Sequence, residues 1–81
     1  MNSDNSMKFI EIVSKILLID QAKIVDDLSR EDLEEWDSMT HLVLVSDIEQ
    51  EFDIIFSDDE VTSILTISDL KNSLKNHGIV I

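Results

Sequence analysis

The chain has no cysteine and no proline, one glycine, and only six lysines and arginines against eighteen aspartates and glutamates. Without cysteine there is no disulfide and no thiolate metal site, so an 81-residue domain must be held by its apolar core alone. With proline absent and Gly78 the sole glycine, boundaries have to be read from capping residues. The formal charge of −12 argues against nucleic acid as a partner, because phosphates would be repelled. The same field speeds encounter with basic surfaces. Met1–Asp4 is polar and lacks the basic and then apolar make-up of a signal peptide, and no apolar run approaches membrane-spanning length. The expectation is one soluble, monomeric domain in the cytoplasm, with no membrane span.

What is present is helical pattern. Phe9, Ile10, Val13, Ile16 and Leu17 share one face at the helical period, which predicts a first helix from about Ser6 to Ile19, capped by Ser3, Asn5 or Ser6. From Asp20 to Trp36 the pattern loosens into a long loop, with Ile24, Val25, Leu28 and Leu33 as anchors and room for a short turn within Ser29–Glu35. A second helix is expected from Asp37 or Ser38 to Phe52. Ser57-x-x-Glu60 is a capping-box pattern that opens a short third helix to about Leu65, and Thr66-x-x-Asp69 opens a fourth to His77. Gly78 then suits the left-handed residue beyond its end. The fold class is all-α: a four-helix bundle of three longer helices and one short one.

The second helix has two apolar faces. At roughly 100° per residue, His41, Leu44, Val45, Ile48 and Phe52 gather on one arc, the width of a core stripe. Met39, Leu42 and Val43 fall outside it, with Ser38 at the head and Ser46, Glu49, Gln50 and Glu51 further along. Packing of a monomer gives no reason for that second strip, so it reads as a partner surface. His41 is expected to pack toward the core. His77 is expected to act at a helix C-terminus through a cap or the helix dipole.

The spacing supports no enzyme: there is no nucleophile–base pair, no metal-ligand set and no glycine-rich loop. Asp47-x-Glu49-x-Glu51 and Asp27-x-Ser29-x-Glu31 lack the sixth-position glycine and the final glutamate of a calcium loop. From the residues alone, an unmodified helical interaction module, with Ser38 as a plain cap, stands beside any modified form.

Asp37-Ser38-Met39 resembles the Asp-Ser-Leu attachment motif of acyl carrier proteins. The similarity continues through Ile48-Glu49-Gln50-Glu51-Phe52-Asp53-Ile54, the acidic Ser57-Asp58-Asp59-Glu60 turn and Thr66-Ile67-Ser68-Asp69-Leu70, and so runs over nearly the whole chain. The resemblance implies a covalent phosphopantetheine on Ser38, installed by a phosphopantetheinyl transferase. It implies acyl groups held as thioesters, and partner enzymes that load and remove them through basic or apolar docking surfaces. Asp37 would help position the transferase and its metal, besides capping the helix. Trp36 stands where many carriers have a small residue; it is either a contact for enzymes approaching Ser38 or, as favoured, a loop anchor packing on the helix start.

Many carriers of fatty acid synthesis have acids soon after the serine. Here Thr40-His41-Leu42-Val43 follows, so recognition near Ser38 is expected to be more apolar and less salt-sensitive. That departure points to a specialised stand-alone carrier, for polyketides, modified sugars or other secondary products. Carriers of amino acids, D-alanyl carriers among them, share Asp-Ser-Met and stay open.

Overall fold

A computed structural model describes residues 3–81, apart from the side chain of Ser3. It contains four helices: α1 (Ser3–Leu17), α2 (Ser38–Phe52), α3 (Asp58–Ser63) and α4 (Ile67–Asn76). No helix among the described residues is long and apolar enough to cross a membrane.

α1 starts earlier and ends earlier than its pattern suggests. Ser3, Asn5 and Ser6 are all helical, so none caps it, and the residue before Ser3 lies outside the described residues. Asn5 instead ties the two ends of the chain together, its Nδ2 donating to the Val80 carbonyl at 3.0 Å. Phe9, Val13 and Leu17 are buried, while Ile10 and Ile16 are half-buried at the edge of the stripe.

Three of the helices end in the same way. Leu18, Asp53 and Gly78 have φ of 58°, 54° and 85°, and each is followed by an isoleucine. The amides of those isoleucines donate five residues back: Ile19 to Ser14, Ile54 to Glu49 and Ile79 to Leu74, at 3.0–3.2 Å. This is the Schellman arrangement, in which a left-handed residue reverses the chain and an apolar residue just beyond packs back on the helix. Ile19, Ile54 and Ile79 are all half-buried against the core.

The two capping boxes form as their sequences suggest. Glu60 N–H donates to Ser57 Oγ at 3.2 Å and Ser57 N–H to Glu60 Oε1 at 2.9 Å. Asp69 N–H donates to Thr66 Oγ1 at 3.0 Å, and one Asp69 oxygen takes both Leu65 and Thr66 N–H. That second reach is why α3 stops at Ser63 rather than Leu65: Ile64 turns extended and the chain is already committed to the α4 cap.

The long α1–α2 loop contains two single 3-10 turns, Gln21–Lys23 and Arg30–Asp32. Ile24 is buried and Leu28 and Leu33 half-buried, but Val25 is exposed and anchors nothing. Backbone bonds do more of the holding. Arg30 N–H donates to Leu65 O at 2.9 Å, Ile67 N–H to Leu28 O at 3.0 Å and Ser68 N–H to Asp26 O at 3.1 Å, around a bridge between Ser29 and Thr66. The loop is thereby stitched to the α3–α4 connection, with Lys71 Nζ on Asp26 at 2.8 Å outside it.

α1 and α2 run antiparallel. Lys8 near the start of α1 faces Glu51 near the end of α2, and Lys15 and Ile16 near the end of α1 share a cavity with Met39 and Thr40 at the start of α2. Leu44, Val45 and Ile48 of α2 are buried, with Phe52 half-buried, against α1, Trp36, Phe56, Ile64 and the α4 residues Ile67, Leu70 and Leu74. This core fixes the rotation of α2 and turns its other side outward.

Candidate functional site

The start of α2 divides two tasks between adjacent residues. Asp37 is extended (φ −89°, ψ −178°) and its Oδ1 accepts from Thr40 N–H at 2.8 Å, so Asp37 is the N-cap. The Thr40 amide, and after it the Thr40 hydroxyl, hold the Asp37 carboxyl below the ordinary aspartate value. Ser38 is the first helical residue and exposed, and the cap does not need its hydroxyl.

Beneath Ser38 lies a buried polar brace. Trp36 is 2% exposed, and its Nε1–H donates to His41 Nδ1 at 2.9 Å. The other ring nitrogen, Nε2, lies 2.8 Å from the Val61 carbonyl. An indole can only donate and a carbonyl can only accept, so His41 must accept at Nδ1 and donate from Nε2. The ring is therefore neutral, and burial pushes its pKa below the usual histidine value, opposed by the bond to Val61. The brace joins the loop, α2 and α3. Trp36 is a loop anchor, as expected. His41 packs inward, and with its Nδ1 lone pair engaged it cannot serve as a base for Ser38.

Two shallow cavities flank this helix start. One, of about 370 Å³, is lined by Lys15, Ile16, Leu18, Asp37, Met39, Thr40 and Val43. The other, of about 190 Å³, is lined by Arg30, Ser38, His41, Leu42, Val61 and Thr62. The outward strip read from the sequence is real as a surface: Met39, Leu42 and Val43 are 78%, 61% and 47% exposed. Leu18, 79% exposed, extends it from α1. Leu18 was hidden in the sequence because it sits inside a run of helix-compatible apolar residues. Arg30 was hidden because nothing local relates it to Ser38.

The acids of the strip lie elsewhere. At 1.5 Å per residue, Glu49 and Glu51 are roughly 16–20 Å further along α2 than Ser38. The Glu49 carboxylate is turned to the chain's own backbone, accepting from Phe56 N–H at 2.8 Å. Glu51 faces Lys8 at 3.6 Å, and Ser46 is exposed between the two ends of the strip. His77 does cap α4, and its Nε2 also meets the Glu60 carboxylate at 3.0 Å. Among the described residues no three His, Asp or Glu side chains converge as metal ligands would.

No protein-family model matches the chain.

Proposed function

We propose that the protein is a cytoplasmic acyl carrier that bears phosphopantetheine on Ser38. The observation that carries this role is the division of labour at the start of α2. Asp37 makes the cap, so the exposed serine beside it has no structural task, and it sits where helix amides and the helix dipole favour a phosphate. The residues present suit such a group: an accessible hydroxyl, a rigid helix beneath it and a cavity alongside.

Ser38 Oγ forms a bond to the pantetheine-side phosphorus of coenzyme A. The pyrophosphate link breaks, the adenosine bisphosphate half leaves with the bridging oxygen, and the hydroxyl proton passes to the transferase. His41 does not supply the base, because it is engaged on both nitrogens. Asp37, already ionised, offers a negative point beside Ser38 for the transferase and its metal. When bound, the arm supplies a thiol that holds acyl groups as thioesters. Met39, Leu42 and Val43, joined by Leu18, form an apolar docking surface for the transferase and for acyl-loading and acyl-transferring enzymes, while the distant acids attract their basic rims. That division favours a specialised biosynthetic carrier.

Intact mass after co-expression with a broad-specificity phosphopantetheinyl transferase tests this directly. One phosphopantetheine should be added, and Ser38→Ala should prevent it. No addition to the wild-type chain would leave an unmodified interaction module presenting the same strip.

A further inference from the structure

Arg30 is the only arginine in the chain, and it lines the smaller cavity together with Ser38. Its backbone is fixed. Arg30 N–H donates to Leu65 O at 2.9 Å, the neighbouring Ser29 bridges to Thr66, and Arg30 opens a 3-10 turn. The residue is half-buried, yet among the described residues it has no carboxylate within ion-pair distance. In a chain of net charge −12, an arginine without an ion-pair partner among the described residues, lining the same cavity as an exposed serine, is conspicuous by its chemistry. Guanidinium is the side chain best matched to phosphate oxygens, through parallel N–H donors in a fixed fork.

The two cavities differ in charge as well as in place. The larger holds Lys15 and Asp37, one cation and one anion, which cancel. The smaller holds Arg30 as its only permanently charged group, because His41 is neutral, and its remaining wall is apolar or hydroxylic: Leu42, Val61 and Thr62. An anion attached to Ser38 is therefore drawn to the α2–α3 side, away from the Asp37 carboxylate.

We infer that Arg30 is a positioning residue that pairs with the phosphate carried by Ser38. It thereby directs the arm's first, branched apolar segment onto Leu42 and Val61. This rests on the carrier role proposed above. The arm then covers Leu42, at the α3 edge of the docking strip, and leaves Leu18, Met39 and Val43 uncovered in the loaded protein.

As the only arginine, Arg30 gives a single side-chain Nε–H resonance, which needs no assignment by mutation. Nitrogen-15-labelled protein is compared before and after enzymatic installation of phosphopantetheine, with intact mass confirming loading. The Arg30 Nε–H signal should shift and exchange more slowly with water on loading. The phosphorus-31 resonance of the loaded protein should shift and narrow in Arg30→Gln, with Arg30→Lys between the two. A loaded chain whose Arg30 signal does not move, or in which the methyls of Leu18, Met39 and Val43 shift instead of those of Leu42 and Val61, overturns the inference while leaving the carrier role standing. A wild-type chain that mass shows to be unloaded overturns both. The comparison of unloaded and loaded wild type holds even if a variant at Arg30 fails to fold.

Discussion

The Trp36 Nε1–His41 Nδ1 hydrogen bond, at 2.9 Å and buried, fixes a proton on the far side of the imidazole and so aims it at the Val61 carbonyl. Three segments that meet only in the folded state are joined by one ring. His41→Leu leaves both the indole N–H and the Val61 carbonyl unpaired. At about 1–3 kcal/mol for each group left unsatisfied, the expected loss is about 2–6 kcal/mol in urea unfolding. A loss under about 1 kcal/mol would mean that water reaches these groups.

The same bond gives a pH dependence with a definite sign. The folded state holds His41 below its unfolded value of 6.5, so the unfolded chain binds the proton first as pH falls. The stability owed to neutral His41 is complete above the unfolded value and is lost as pH drops through the folded one. The Asp37 and Glu60 carboxyls are also held low and lose stability in the same direction as pH falls, so wild type should be compared with His41→Gln, which keeps a donor and an acceptor without titrating. Wild type should gain stability relative to the variant as pH rises from about 5 to about 7.5. A constant difference would mean that the ring titrates alike in the folded and unfolded chain, and a loss on raising pH would mean that the fold holds it charged.

Asp37 and Ser38 should separate cleanly under mutation. Asp37→Ala removes the acceptor for Thr40 N–H and should lower the melting temperature. Ser38→Ala removes nothing the fold uses and should change stability by less than about 0.5 kcal/mol, while abolishing phosphopantetheine loading. If Ser38→Ala were the more destabilising of the two, the assignment of the cap to Asp37 would be wrong.

The acids of α2 are not equivalent either. Glu49→Ala leaves the half-buried Phe56 N–H without its carboxylate and should cost about 1–2 kcal/mol in urea unfolding. Glu51→Lys breaks only a long, exposed contact with Lys8 and should shift stability by less than about 0.5 kcal/mol. Slower acyl transfer in Glu51→Lys would therefore report recognition, whereas the same effect in a Glu49 variant would mix recognition with folding.

Much of this fold is legible in the chain because local signals and burial agree. The two capping boxes and the inward arc of α2 are local patterns, and their helices form close to where those patterns lie. What sequence reading misses is set by distance or by ambiguity of residue type. Asp37 and Ser38 are equally good caps on paper, and only the extended backbone at Asp37 decides between them. Arg30 lines one cavity with Ser38 because Leu65 and Thr66 hold the loop there, a pairing more than thirty residues away in sequence. Glu49 is an outward position by helical angle, but the return of the chain brings the Phe56 amide under its carboxylate.

Leu18 shows the same limit in backbone form. A left-handed residue is usually read from glycine, yet α1 ends on a leucine with φ of 58° and a side chain 79% exposed. The left-handed conformation costs a side-chain-bearing residue about 1–2 kcal/mol, while glycine gives back about 0.5–1 kcal/mol through the freedom of its unfolded state. Leu18→Gly should thus leave stability unchanged or raise it by up to about 1 kcal/mol, because an exposed side chain contributes little burial. Under the carrier role the same substitution should slow phosphopantetheine loading, since it removes one wall of the apolar docking surface. Faster or unchanged loading in a variant of equal stability would remove Leu18 from that surface, and a stability loss would show that its side chain packs.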